Sequence, residues 1–264
     1  MNADLETRQY LFDLQGYLVV EDVLDAGELA ALNELIDGQE LPDKEGIQRF
    51  GDACGSSPEG PGFLQWGQPF CDLLDHERIL PILRFRLGDC FRLDRIYGIR
   101  TREGSPRGFL HSDYGASAIG APSVAGERYH WPENVLHTGF VVVSWNLTDA
   151  GPGHGGFCCV PGSHKSVFRI PEHIQEAHED ADEVILPSAP AGSVTLFTEA
   201  ITHGTAAWRA PHERRCLLYK YCVSQIAWSA RRMQPPEGIE LTPRQQILFR
   251  DAADPHRYFP SLFD

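Results

Sequence analysis

The residues best suited to chemistry begin in a short stretch, FLHSDYG, in which a histidine and an aspartate stand two positions apart. If this stretch is a strand, the side chains of His111 and Asp113 point to the same side and can bind one metal ion. A third ligand, His203, stands in ITHGTAAW, near the end of another strand-like run. Two histidines and one carboxylate form a ligand set that suits Fe(II) and leaves coordination positions free. The sequence therefore predicts a metal site formed by these three residues.

A second spacing points to a carboxylate-binding group. Arg214 lies eleven residues after His203, at the start of RRCLLYKY. Arginine can hold a carboxylate through two parallel hydrogen bonds, a geometry that lysine cannot match. A dicarboxylate cosubstrate held by iron at one end needs such a group at its other end. Thr205 is expected to point the same way as His203 and to assist, whereas Arg215 is expected on the opposite face as a surface or structural charge.

Taken together, these motifs resemble the phytanoyl-CoA dioxygenase family of Fe(II)/2-oxoglutarate-dependent oxygenases. The resemblance covers about residues 8–225 and rests on DLQGYLVVEDVL, HSD, WNLTDAGPGHGGFCCVPGSHK, AGSVTLFTEAITHGT and the arginine that follows. It implies a mainly β (α+β) fold with a double-stranded β-helix (jelly-roll, cupin-like) core and flanking helices. It implies that iron is bound by His111, Asp113 and His203. It implies that 2-oxoglutarate is bound by Arg214 and Thr205, with Trp145 as an aromatic residue beside it. Packing in the core is an equally good interpretation of Trp145.

The resemblance also implies an activity. The expected enzyme is a hydroxylase that converts 2-oxoglutarate and O2 to succinate and CO2 while it oxidises a small-molecule metabolite. A carboxylate at Asp113 favours hydroxylation, desaturation or cyclisation, because related halogenases carry a small residue there so that chloride can bind iron. The chain lacks an evident basic cluster for a CoA phosphate, which argues against an acyl-CoA substrate.

Two functions from other classes use a similar ligand set. One is a non-catalytic, cupin-like protein that binds a metal or small molecule. The other is a metal-dependent hydrolase, in which zinc activates a bound water. The spacing of Arg214 argues against both, since neither function needs a clamp for a second carboxylate.

The composition of the chain argues against some classes of binding partner. Lys and Arg number 23 against 37 Asp and Glu, a formal net charge of −14, so the chain repels nucleic-acid phosphates and anionic lipid. No apolar run approaches the length of a membrane span, which is about 18 residues or more. The N-terminus lacks the pattern of a signal peptide, and the seven cysteines contain no CxxC pair. We therefore expect a cytoplasmic protein with a small-molecule substrate and without nucleic-acid or membrane binding.

The elements that must position the site change character near residue 90. The preceding flank, about 8–88, is expected to hold a strand-like run over Gly16–Leu24 and an amphipathic helix over Asp25–Asp37. Asp25 and Glu28 have the spacing of a capping box. Residues 38–68 are expected to be a long surface excursion. Residues 70–88 are expected to be helical with an interruption at Pro81.

From residue 90 the apolar pattern has a period of two, which is typical of strands. It predicts that one face of the first strand carries Phe91, Leu93, Arg95, Tyr97 and Ile99. A buried strand is predicted over Thr138–Thr148, with further strands in GGFCCV, GSVTLFTEAI and RRCLLYKYCV. Helices followed by many strands indicate an antiparallel sandwich or barrel with helices packed outside.

The predicted domain organisation is a single domain over 1–264, with its jelly-roll core at about 90–225. A C-terminal tail is expected at about 235–264, with a short helix near Pro243–Arg250. The segment Tyr114–His137 is rich in small residues and directly follows Asp113. We expect it to be a mobile lid that governs substrate choice, because loops at such positions exclude water from active sites.

Overall fold

The structure is a computed structural model of the chain. It describes residues 3–42, 44–53, 60–113, 139–166, 168–228, 232–252, 254, 256 and 258–264. The lid expected at Tyr114–His137 lies outside the described residues, and so does the start of the strand expected from Thr138. Within the described ranges, no helix has the length and apolar character needed to cross a membrane.

The described strands form two antiparallel sheets. They are β1 (Tyr17–Val20), β2 (Gln48–Ala53), β3 (Phe91–Thr101), β4 (Phe140–Asn146), β5 (Gly156–Cys159), β6 (Val194–Thr198), β7 (His203–Ala206) and β8 (Arg214–Val223). The main sheet has the order β1-β6-β4-β8-β3-β2, and the small sheet pairs β5 with β7. This two-layer antiparallel arrangement with flanking helices agrees with the predicted sandwich.

Helices flank the two sheets, most of them before β3 in the chain, and α5 packs on the side of the small sheet. They are α1 (Ala3–Gln15), α2 (Ala26–Asp37), α3 (Gln68–Asp72), α4 (Leu80–Leu87), α5 (Glu172–Ala177) and α6 (Pro243–Ile247). The capping box predicted for α2 is confirmed, since Asp25 accepts from the backbone of Glu28, whose side chain accepts from the backbone of Asp25. Pro81 lies in the first turn of α4, where a missing N–H costs least.

The main sheet has two faces with different neighbours. The outer face packs against the helices in a large apolar core that includes Leu217, Tyr219 and Tyr221 of β8. The inner face looks toward the small sheet, and its apolar cluster includes Cys216 and Leu218 of β8. Strand alternation therefore sends neighbouring residues of one strand into two different environments.

Two expectations for the first part of the chain are wrong. The surface excursion expected at 38–68 contains β2 and a 3₁₀ helix, Gly62–Trp66, whose Phe63 and Leu64 are buried in the outer core. The single apolar face expected for β3 is broken by a register shift between Leu93 and Arg95. A bulge of this kind adds one residue and reverses the alternation, so Leu93 faces the helices and Tyr97 faces the small sheet.

The sequence analysis does not predict α1, whose apolar pattern is weak and whose only fully buried residue is Phe12. The short C-terminal helix was expected, and α6 begins at Pro243 as predicted. The limits proposed for the core, the flank and the tail of one domain stay predictions.

Candidate active site

The predicted metal ligands meet at one end of the space between the sheets. His203 is the first residue of β7, and His111 forms an isolated antiparallel bridge with it. Each backbone N–H of this pair donates to the other's carbonyl, at 2.9 and 2.7 Å. Asp113 lies two residues beyond His111, and one ligand atom from each of the three side chains lies within 4.8 Å of the others. The structure thus brings together the three residues that the sequence selected.

The hydrogen bonds of both histidines leave one ring nitrogen for a metal. Nδ1 of His111 lies 3.1 Å from the carbonyl of Phe109, and Nδ1 of His203 lies 2.8 Å from the carbonyl of Ile201. A carbonyl only accepts hydrogen bonds, so Nδ1 carries the proton in each neutral ring and Nε2 keeps its lone pair. Nε2 of His111 lies 3.9 Å from Oδ1 of Asp113. This donor set fits a divalent transition metal such as iron.

Burial keeps His203 neutral. Its ring lies beside those of Phe157 and Phe197, with ring centroids 6.2 and 4.9 Å away. Desolvation and the neighbouring His111 lower the pKa of His203 to about 4. At neutral pH the imidazole therefore has its lone pair free for a metal, with no proton to displace first.

Asp113 is fixed by a buried lysine and a second carboxylate. Nζ of Lys220, on β8, lies 3.0 Å from Oδ2 of Asp113 and 2.8 Å from Oε1 of Glu199. The backbone N–H of Asp113 also donates to the carbonyl of Glu199, at 2.9 Å. Lys220 and Glu199 are both buried. One oxygen of Asp113 is therefore held by the protein, while the other faces His111.

The charges of this group set its protonation. Burial alone would raise the pKa of Asp113, but attraction from Lys220 and the two histidines lowers it to about 2. Burial raises the pKa of Glu199 to about 7, even though Lys220 opposes the shift. Burial disfavours the charged form of Lys220, yet the neighbouring Glu199 raises its pKa. Asp113 is consequently an ionised ligand throughout the neutral range.

A second polar region lies at the start of β8. Arg214 is buried, and its Nε and Nη1 have no hydrogen-bond partner in the described part of the chain. A Cβ placed on Gly156 would lie 3.1 Å from Nε of Arg214, so the glycine makes room for the guanidinium. Buried guanidinium N–H groups without partners fit the carboxylate-binding role that the sequence suggested.

Arg215 points the other way, as predicted. Its guanidinium lies 2.6 Å from Asp37 of α2 and 2.7 Å from Glu213. Thr205 forms a cross-strand pair with Phe157, one position from the pair between Gly156 and Ala206. It follows His203 by two residues in β7 and therefore shares its face.

The structure corrects the position expected for the side chain of Trp145. The sequence placed it beside the cosubstrate, but the structure buries it on the outer face, where its ring packs against His76 and Tyr219. Strand β4 alternates, so Val142 reaches the inner cluster while Val143 and Trp145 face the helices. Trp145 is a core residue and is not brought to the site.

Sequence reasoning missed Lys220 and Glu199. A signal for Lys220 was present, because a lysine inside the apolar strand RRCLLYKYCV is unusual and has the same parity as Arg214. Glu199 directly follows the buried strand VTLFT, but nothing in the sequence pairs it with a residue more than eighty positions upstream. Only the sheet order reveals that contact.

Comparison with known proteins identifies a protein family that matches this chain and solved structures that share its fold. The family model described as "Phytanoyl-CoA dioxygenase (PhyH)" matches residues 12–216. Among curated proteins, the ectoine dioxygenase of Sphingopyxis alaskensis is 24% identical over 284 residues, which span 94% of this chain and 84% of that protein.

Solved structures share the fold at low sequence identity. HygX from Streptomyces hygroscopicus, with nickel, 2-oxoglutarate and hygromycin B bound, has a TM-score of 0.69 and 21% identity, over 86% of this chain and 89% of that one. EctD from S. alaskensis with bound Fe has a TM-score of 0.58 and 20% identity, over 92% of this chain and 82% of that one. The mainly β fold predicted from the sequence is thereby confirmed.

Proposed function

This chain belongs to the phytanoyl-CoA dioxygenase family, and from that membership we propose that it is an Fe(II)/2-oxoglutarate-dependent dioxygenase that hydroxylates a small-molecule metabolite. In the overall reaction, one oxygen atom of O2 enters succinate as 2-oxoglutarate loses CO2. The other oxygen atom becomes the hydroxyl group of the product. The observation that carries the proposal is the pairing of a His–Asp–His cluster with a buried arginine whose Nε and Nη1 have no acceptor among the described residues.

In this proposal His111, Asp113 and His203 hold the iron. Bound iron(II) supplies the redox chemistry through which O2 oxidises the cosubstrate and the substrate. The chain's own contribution is positioning. Backbone carbonyls orient the two imidazoles, and Lys220 fixes one oxygen of Asp113 so that the other is available to the metal.

Arg214 and Thr205 hold the far carboxylate of 2-oxoglutarate in the same proposal. The guanidinium of Arg214 keeps buried N–H groups that have no acceptor among the described residues and can donate to a carboxylate, and the hydroxyl of Thr205 adds a further donor. Burial strengthens these charge-assisted hydrogen bonds, because little water competes for the guanidinium. The clamp thus fixes the direction in which the cosubstrate reaches the metal.

The surroundings of the metal ligands and the relatives both support a small organic substrate. The ring of Phe109 is more than half exposed and lies 4.9 Å from that of His111, which offers an apolar surface beside the metal ligands. One relative is named for ectoine, and the HygX structure contains hygromycin B. Both are small molecules, which supports the same class of substrate here.

The test is a metabolite panel scored for succinate formed from 2-oxoglutarate with added Fe(II), in air and under anaerobic conditions. We expect succinate release to need Fe(II) and O2 and to rise in the presence of the true substrate. Omission of Fe(II), or its replacement by Zn(II), is the matched control and should abolish release.

The same panel separates the alternatives. A zinc hydrolase would turn over its substrate equally well without O2 and without 2-oxoglutarate. A non-catalytic binding protein would bind metal and release no succinate with any member of the panel. Either pattern would overturn the proposed function.

A further inference from the structure

The residue directly across the sheet from Arg214 is, like Arg214, buried with a polar atom that lacks a hydrogen-bond partner among the described residues. Thr101, the last residue of β3, pairs with Arg214 in the register of β3 and β8. Directly opposed residues in a sheet point to the same face. The cross-strand pair two positions away, Ile99 and Cys216, lies in the inner cluster. Side chains alternate along a strand, so Thr101 and Arg214 also point to the inner face.

Both side chains are buried with polar atoms unsatisfied. Thr101 is 1% exposed and Arg214 is 4% exposed. Oγ1 of Thr101, like Nε and Nη1 of Arg214, has no hydrogen-bond partner among the described residues. A buried polar group without a partner destabilises a folded protein, and such groups are rare. Three of them on one cross-strand pair indicate that a ligand supplies the missing partners.

The chemistry of these atoms defines the ligand. Arg214 offers only donors, and the hydroxyl of Thr101 can donate as well. A ligand that meets these donors must be rich in acceptors and negatively charged, and a carboxylate that accepts from the guanidinium can also accept from the hydroxyl beside it. We propose that Thr101 is a further cosubstrate-binding residue, which donates its hydroxyl hydrogen to the far carboxylate of 2-oxoglutarate beside Arg214. This inference rests on the proposed function.

The decisive variant is Thr101→Val, which keeps the shape of the side chain and removes only the hydroxyl. We expect the dissociation constant for 2-oxoglutarate, measured by calorimetry with Mn(II) in place of iron, to rise about tenfold. Affinity for Mn(II) alone should stay the same. The unfolding temperature of the ligand-free protein should be unchanged or slightly higher, because the hydroxyl has no hydrogen-bond partner among the described residues.

A shortened cosubstrate locates the effect. 2-Oxobutanoate has the keto-acid end of 2-oxoglutarate but lacks the far carboxylate, so the original protein and Thr101→Val should bind it equally. Thr101→Ser keeps the hydroxyl and should restore most of the affinity for 2-oxoglutarate. A merely structural role for Thr101 would instead weaken both ligands together with stability.

Thr195→Val is the matched control. Thr195 is also a buried threonine of the main sheet, but its Oγ1 accepts a hydrogen bond from Nδ2 of Asn146 at 3.1 Å. This variant should lose stability and keep its affinity for 2-oxoglutarate. If the original protein binds 2-oxoglutarate and Thr101→Val binds it equally tightly, the inference is overturned while the proposed function stands. If the original protein binds no 2-oxoglutarate, both are overturned.

Discussion

The two faces of strand β8 treat their polar groups differently. On the outer face, the hydroxyl of Tyr219 donates to the carbonyl of Phe70 at 2.7 Å, and the hydroxyl of Tyr221 donates to the carbonyl of Leu74 at 2.8 Å. On the inner face, the buried N–H groups of Arg214 have no acceptor among the described residues. One strand thus satisfies its tyrosine hydroxyls toward the helices and leaves N–H groups of Arg214 open toward the small sheet.

This difference separates groups that stabilise the fold from groups that, in our proposal, bind a ligand. Satisfied hydrogen bonds at the outer face tie the sheet to the helices. Unsatisfied ones at the inner face lower the stability of the empty protein and become favourable when a ligand arrives. The indole N–H of Trp145 departs from this pattern on the outer face, since it is buried and has no hydrogen-bond partner in the described part of the chain.

The largest effect is expected from the metal ligands. His111→Ala, Asp113→Ala and His203→Ala should each abolish turnover, since a site with two ligands holds iron weakly. Metal content after reconstitution, measured by elemental analysis, should fall in step with activity. Circular dichroism of the metal-free variants is the control for folding. Full metal content and activity in any variant would remove that residue from the ligand set.

Lys220 tests whether an inner-face residue can also serve the fold. Lys220→Met leaves Glu199 and Asp113 without their shared cation, and removal of one partner from a buried ion pair costs about 3–5 kcal/mol. We expect the metal-free variant to unfold at much lower temperature than the original protein. Added Mn(II) should raise the unfolding temperature more in the variant, because the ion replaces part of the lost positive charge. An equal shift in both proteins would contradict this electrostatic role.

A substitution of Arg214 tests the proposed ligand-binding role of the inner face of β8. Arg214→Lys removes the paired N–H donors and retains a point charge, so binding of 2-oxoglutarate should weaken by about 2–3 kcal/mol, or at least about 30-fold. The Michaelis constant for 2-oxoglutarate in the succinate assay measures this change. Unfolding of the ligand-free variant should be close to that of the original protein. A variant that lost stability and kept its Michaelis constant would reverse the assignment of this residue.

The sequence was most informative where chemistry and strand parity coincide. His111, Asp113 and His203 could be selected because their residue types are specific, and Arg214 could be told from Arg215 because strand residues alternate. The same parity argument failed in β3, since a bulge between Leu93 and Arg95 leaves no clear mark in the sequence.

The remaining misses concern contacts between distant parts of the chain. Trp145 has the residue type expected beside a cosubstrate, but the register of the sheet turns it toward the helices. Glu199 reaches Asp113 through Lys220, and each of the three comes from a different segment. Local patterns do not contain this information, because the order of the strands decides it.

On the outer face, Tyr219→Phe should affect stability alone. Loss of the hydroxyl leaves the buried carbonyl of Phe70 without its donor, which costs about 1–2 kcal/mol. Chemical denaturation should report this loss, while the Michaelis constant for 2-oxoglutarate stays unchanged. A changed Michaelis constant with unchanged stability would break the separation between the two faces.

The smallest effect is expected from the substitution Arg215→Lys, at the residue that follows Arg214 in the sequence. Arg215 pairs with Asp37 and Glu213, and Asp37 is largely exposed, so water and salt weaken that pair. Lysine keeps the charge, and we expect a loss of under about 1 kcal/mol in the free energy of unfolding. The Michaelis constant for 2-oxoglutarate should stay the same, in contrast to Arg214→Lys measured in parallel. If the two lysine variants raised that constant equally, the assignment of adjacent residues to opposite faces of β8 would be wrong, and the distinction between a stabilising face and a binding face would fail with it.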